Sequence, residues 1–138
     1  MLTPDRVVTT TCPYCGVGCQ IDLLLKDGLV YRVNGRFDNE VNRGSLCVKG
    51  RFGYDFIYSP DRLKAPLVRS AQGDFYDVTW DEAFNKVARN LDHIRQKYGP
   101  DSIAFLTSAK CTNEENYLMQ KLARGVIGTN NIDHCARL

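Results

Sequence analysis

The chain has 138 residues, enough for one ordinary domain or two small ones, and a globular composition with 43% hydrophobic and 25% charged residues. Eighteen Lys and Arg against 16 Asp and Glu leave a net charge of +2, too weak to argue for a nucleic-acid partner. No apolar stretch approaches the roughly 20 residues of a membrane span, and there is no low-complexity run, internal repeat or interleaved basic and aromatic stripe. Met1-Leu2-Thr3-Pro4-Asp5-Arg6 has no apolar signal core and no twin arginine, so a cytoplasmic location with reduced thiols is expected.

In chain order, Arg6–Thr10 reads as a strand leading into a cysteine-rich loop. Gln20–Leu25 and Leu29–Val33 are β-rich runs around Asp27-Gly28, which predicts a hairpin. Asn34-Gly35 reads as a further turn, and the polar stretch from Arg36 to Ser45 as a loop. Gly50 to Tyr58 suggests a short helix with Phe52, Phe56 and Ile57 packed inward, broken at Ser59-Pro60-Asp61-Arg62. A boundary near residue 60 divides the chain into 1–59 and 60–138. Beyond it, Phe75–Val78 is a short strand, and Thr79-Trp80-Asp81-Glu82 is a capping box opening a helix that runs to about Tyr98. Ala83, Phe84, Val87, Leu91 and Ile94 form its apolar face, and Gly99-Pro100 ends it. Ile103–Thr107 reads as a buried strand. Asn113 is expected to cap a helix running to about Val126 and stopping at Gly128, and Asn131–Asp133 starts another strand. Strand, helix, strand predicts a parallel α/β unit, with Ser108-Ala109-Lys110 at the carboxyl end of a strand, where such folds bind ligands. The fold class expected is α+β.

Cys12, Cys15 and Cys19 share the eight-residue loop Cys12-Pro13-Tyr14-Cys15-Gly16-Val17-Gly18-Cys19, and Cys47 arrives in Gly44-Ser45-Leu46-Cys47-Val48-Lys49-Gly50. This C-x2-C-x3-C-x27-C pattern supplies four thiolates, the number a [4Fe-4S] cluster needs. Gly16 and Gly18 let the backbone wrap tightly and turn N–H groups toward sulfur. Structural zinc is a rival, but it usually takes two short pairs, and the second pair is missing here. Cys12-Pro13-Tyr14-Cys15 also looks like a glutaredoxin-type dithiol, yet Gly16 and Gly18 spoil the helix that motif requires. Disulfides need an oxidising compartment. Cys111 and Cys135 fall outside the pattern and are expected to be small buried hydrophobes.

The segments CPYCGVGC, GSLCVKGRFGYDF, DRLKAPLVR, the WDEA box, KYGPDSIAF and NYLMQKLARGVIGTNNIDHCARL together resemble the N-terminus of a molybdenum- or tungsten-dependent formate dehydrogenase of the molybdopterin oxidoreductase superfamily. The cluster motif points to the superfamily, and GTNNIDHCAR more specifically to formate dehydrogenases. The resemblance implies a small β-rich cluster-binding subdomain over 1–59, then the first, incomplete part of the α/β molybdopterin oxidoreductase domain over 60–138. It implies that Cys12, Cys15, Cys19 and Cys47 bind the [4Fe-4S] cluster. Lys49 would relay electrons between cluster and pterin, a position where an ammonium favours the arriving electron. Lys110 and Arg137 would contact a bis-molybdopterin guanine dinucleotide carrying Mo or W. His134 is expected to pack or hydrogen-bond structurally, and His93 to face solvent.

The implied reaction is reversible oxidation of formate to carbon dioxide, with electrons leaving toward iron–sulfur subunits of a hydrogenase or NAD-linked partner. In this family the CAR-x segment runs into a selenocysteine or cysteine metal ligand followed by histidine. The chain stops one residue short of it, so an in-frame UGA read as a stop is expected, and the 138 residues alone are expected to be inactive. The alternatives are a standalone small iron–sulfur or zinc-binding protein, or part of another superfamily member such as a nitrate reductase or the NADH–quinone oxidoreductase large subunit. The GTNNIDHCARL ending argues for formate. Exposed apolar surface from Ile103–Leu106 is also expected.

Overall fold

The computed structural model describes residues 2–135. The fold is α+β, and its contacts divide the chain into two compact units. One gathers residues from Met1–Ser59, Thr107–Leu118 and His134–Leu138, and the other residues from Pro60–Leu106 and Met119–Asp133. No helix among the described residues is long and apolar enough to cross a membrane.

The first unit is built on a three-stranded antiparallel sheet, β1 (Arg6–Thr11), β2 (Gln20–Lys26) and β3 (Leu29–Gly35), in that spatial order. The β2–β3 turn is Asp27-Gly28, with φ of 50° and 79°, the pair of left-handed residues that matches strand twist in a two-residue hairpin. Asn34-Gly35 does not turn the chain; β3 continues through Gly35, which pairs with Ile21. Glycine is needed there because the Gly44 backbone lies where a Cβ would stand. Cys12, Ile21 and Val33 are the buried core of this unit, with Tyr14, Cys19, Leu23, Val30, Leu46 and Tyr54 packed around them.

The helix expected over Gly50–Tyr58 is two short pieces, α1 (Val48–Phe52) and a 3-10 turn (Asp55–Tyr58), separated at Gly53. Phe52, Phe56 and Ile57 do not pack inward as expected: all three are exposed. A five-residue helix has room for little on its inner side, and that side is taken by Gly50, which is buried. The inward aromatics are instead Tyr14, whose hydroxyl donates to the Gly53 carbonyl, and Tyr54, which donates to the Tyr31 carbonyl at 2.7 Å.

In the second unit β4 (Leu67–Arg69) pairs antiparallel with β5 (Phe75–Asp77), and α2 spans Trp80–Tyr98. The Thr79–Glu82 capping box is present in both directions, and Gly99, at φ 84°, ends the helix. The apolar stripe of α2 is covered only in part: Ala83, Leu91 and Ile94 are half-buried, whereas Phe84 and Val87 are exposed. Ile103, Ala123 and Ile127 are buried, and Thr129 is tied to Asp101 at 2.8 Å.

The strand expected over Ile103–Thr107 is β6 (Phe105–Ser108), and it is not buried: Leu106 is 88% exposed. It pairs with β7 (Ile132–Cys135). Phe105 N–H bonds the Asn131 carbonyl, and Ser108 lies beside Cys135, so both strands run the same way. Between them lie α3 (Asn113–Lys121) and a π-helical segment, Leu122–Ile127, closed by Gly128 at φ 89°. The crossover through a helix is what a parallel pair requires. Asn113 is not the cap of α3. Thr112 and Glu115 form a second capping box, with Thr112 N–H to Glu115 at 2.7 Å and Glu115 N–H to Thr112 Oγ1 at 3.3 Å.

Candidate metal centre

The cysteine loop is the β1–β2 connection. Its neck is closed by Cys12 N–H donating to the Cys19 carbonyl at 2.8 Å, directly beyond the Thr11–Gln20 pair. Gly18, at φ 78°, supplies the left-handed residue that returns the chain to β2. Cys12 is buried, Cys15 and Cys19 half-buried, and Cys47 exposed.

Cys47 is brought to this loop by a side chain that the sequence reading passed over. Asn42 is only 8% exposed. Its Oδ1 accepts from Gln20 N–H at 2.9 Å, and its Nδ2 donates to the carbonyls of Gln20 and Ser45, each at 3.1 Å. Gln20 stands one residue past the last β2–β3 pair, Ile21–Gly35, so Asn42 satisfies an N–H that β3 no longer faces. One bond set thus joins the neighbour of Cys19 to a residue two before Cys47. Asn39 shapes the turn by accepting from Val41 and Asn42 N–H at 2.9 and 3.3 Å. From there Gly50 lets α1 approach the loop, since a Cβ on it would lie 3.4 Å from Cys12 Sγ.

The four thiols sense one another. Burial pushes the Cys12 thiol above its ordinary value, with Cys15 and Cys47 adding repulsion against a thiolate. The Tyr14 backbone N–H and the Lys49 ammonium pull the other way. Burial likewise raises Cys19, followed by repulsion from Cys12, Cys15 and Cys47. Thiolates at Cys12 and Cys19, so desolvated and so close to other sulfurs, need positive charge among them. Yet among the described residues no group of three or more His, Cys, Asp or Glu side chains could hold a single metal ion. A tetrahedral zinc ion at about 2.3 Å from each sulfur requires sulfurs about 3.8 Å apart. A cluster with four irons spreads its ligands more widely. The donor set, four thiols within reach of one another's charge, suits the four-thiolate ligation of a [4Fe-4S] group. A largely apolar cavity of about 240 Å³ is lined by Tyr14, Ile21, Leu23, Val33 and Tyr54 among others.

The remaining candidates are dispersed. Lys49 is half-buried on α1, close enough for its charge to act on Cys12. Lys110 is exposed in the turn after β6, where its N–H donates to Ser108 Oγ at 3.1 Å. Nearby, Asn116 Nδ2 holds the Ser108 carbonyl at 3.1 Å while its Oδ1 is a buried acceptor without a donor. A free cation and an unsatisfied acceptor at the carboxyl end of parallel strands are compatible with a hydrogen-bonding, anionic pterin dinucleotide. Arg137 lies outside the described residues. His134 Nδ1 is 2.9 Å from the Cys135 carbonyl, and His93 is exposed. Cys111 is half-buried, and Cys135 is not the buried hydrophobe expected. Cys135 is exposed at the end of β7, and the Ser108 hydroxyl 3.4 Å away holds its thiol below the ordinary range.

Comparison with known proteins agrees with this arrangement. Residues 5–59 match the molybdopterin oxidoreductase Fe4S4 domain, and residues 62–138 match the molybdopterin oxidoreductase domain. The chain belongs to the molybdopterin oxidoreductase family. A [4Fe-4S] cluster and a molybdopterin are accordingly its cofactors. Among the relatives of this oxidoreductase chain are proteins named "Putative formate dehydrogenase" in Staphylococcus aureus. Those of strains bovine RF122 / ET3-1 and MSSA476 are each 52% identical over 128 residues, and that of strain MRSA252 is 51% identical. Each alignment covers 93% of this chain and 13% of the relative, so the chain spans about an eighth of the length of the curated relatives it matches.

Proposed function

We propose that this chain is the N-terminal, cluster-bearing portion of a cytoplasmic formate dehydrogenase that interconverts formate and carbon dioxide. The observation that carries the reading is the gathering of Cys12, Cys15, Cys19 and Cys47 into mutual electrostatic range within the segment that matches the Fe4S4 domain. The names of the relatives support formate as the substrate of the whole enzyme.

Bound here, a [4Fe-4S] cluster supplies one-electron transfer, and a bis-molybdopterin guanine dinucleotide with Mo or W supplies the two-electron chemistry on formate. Residues 1–59 hold the cluster through the four cysteines. Residues 60–138 begin the pterin-binding α/β domain. Lys49, whose charge already acts on Cys12, would steady negative charge on the sulfur side. Lys110 and Arg137 would offer cations to the dinucleotide. Electrons pass on to iron–sulfur subunits of a hydrogenase or NAD-linked partner. With about an eighth of its relatives' length, the chain alone turns over no formate.

The test has two arms. Reconstituted anaerobically with ferrous iron and sulfide, the 138-residue chain should bind about four irons and give an EPR signal on reduction, both lost in Cys12→Ser and Cys47→Ser. Stoichiometric zinc in place of iron under the same conditions would sink the cluster assignment. The full-length enzyme should reduce dyes with formate, and activity with nitrate alone would move the chain to another branch of the family.

A further inference from the structure

The turn between Cys15 and Cys19 is held from outside its own sheet by one side chain. Asn113 Nδ2 donates to the Gly16 carbonyl at 2.7 Å, across 97 positions of sequence. Asn113 is the first residue of α3, and its amide is available because Thr112 and Glu115 cap the helix without it. Gly16 is matched to the same contact: a Cβ there would meet Asn113 Oδ1 at 2.6 Å and Cγ at 3.4 Å. The amide thus fills the space that glycine leaves open while bonding the glycine's carbonyl. One turn further along α3, Asn116 grips the Ser108 carbonyl at the end of β6.

We propose that Asn113 is a positioning residue for the cluster-binding turn. The C=O and N–H of one peptide point in opposite directions, so anchoring the Gly16 carbonyl also fixes where the Val17 N–H is aimed. Hydrogen bonds and local dipoles around the sulfurs set the potential of an iron–sulfur cluster, which makes this orientation consequential. The same bond links the cluster turn to the β6–α3 loop that carries Lys110, so the two halves of the electron path share an anchor. The inference rests on the cluster reading above.

The test uses Asn113→Asp, Gly16→Ala and the double variant. Aspartate keeps the shape, removes the donor, and suits the first turn of a helix, so α3 is not weakened. In the metal-free chain, hydrogen exchange at the Cys12 amide, whose bond to the Cys19 carbonyl closes the turn, should rise about fivefold in each variant, the factor one ordinary hydrogen bond contributes. In the reconstituted chain, iron loss to a chelator should quicken by about the same factor and the cluster's midpoint potential should shift. The double variant should be no worse than either single one, because both remove one contact. Wild-type exchange, iron retention and potential in Asn113→Asp would overturn the proposal. If the unaltered chain binds no iron, the cluster reading fails and the positioning role with it. Faster exchange in the metal-free variants would then report a structural tether only.

Discussion

Asn42→Ala removes the side chain that joins the Cys19 and Cys47 segments. Three hydrogen bonds are lost at a site that is 8% exposed, so water replaces them poorly. Their costs differ. The Gln20 carbonyl keeps the Arg36 N–H at 3.1 Å and loses little. The Gln20 N–H, on a half-buried residue, loses the partner the side chain supplied and carries the larger penalty, while the Ser45 carbonyl belongs to an exposed residue and loses less. The expected loss is about 3 kcal/mol, a roughly 150-fold shift in the folding equilibrium. Asn39→Ala, half-buried in the same turn, should cost about 1 kcal/mol. Urea denaturation of the metal-free chain measures both, and anaerobic iron uptake reports whether Cys47 still reaches the loop. A loss under 1 kcal/mol in Asn42→Ala with normal iron uptake would refute the reasoning that this bond set delivers the fourth cysteine.

The thiols predict a pH dependence with a definite sign. Cys12 and Cys19 are raised above the ordinary value of 9.0, chiefly by burial, so the folded metal-free chain favours their neutral form. Its stability should hold below pH 9.0 and decline as pH rises from there through the raised values, a decline absent from the iron-loaded chain, whose thiolates are already ligated. Lys49→Met removes the cation that pulls Cys12 down, so alkylation of Cys12 should shift to higher pH; an unchanged pH profile would separate Lys49 from the cluster site. Thr79→Ala removes the cap of α2 and should cost about 1 kcal/mol at neutral pH. Glu82 is held below its ordinary 4.5, first by the Thr79 N–H and then by its hydroxyl. That contribution is present above 4.5 and lost as pH falls through the lowered value, so the gap between the variant and the unaltered chain should narrow in acid by the hydroxyl's share and not vanish, because residue 79 keeps its N–H and the Glu82 N–H bond to the hydroxyl does not depend on charge.

Some of the fold was open to reading because the deciding interactions are local. The Asp27-Gly28 turn, the Thr79–Glu82 box and the glycine stops at Gly99 and Gly128 each depend on residues within a few positions of one another. The misread cap at Thr112 was local too: Thr112-Asn113-Glu114-Glu115 contains the capping-box spacing, and Glu115 decides between two adjacent residues that each could cap. Burial was read less well. Apolar periodicity in α2 and β6 marks faces able to be covered, but covering depends on what lies opposite, and Phe84 and Leu106 have little against them.

The sequence by itself determined the family and the β-rich hairpin, and it singled out the four-cysteine pattern as the candidate ligand set, because spacing and residue type already carry that information. The tertiary structure alone decided how Cys47 reaches Cys19 and what holds the turn between Cys15 and Cys19. Asn42 reads as an ordinary loop residue and Asn113 as an ordinary cap until the fold brings them to Gln20 and Gly16, 22 and 97 positions away. A hydrogen bond across such distances leaves no local pattern, since it depends on where the backbone has been carried rather than on which residues are neighbours.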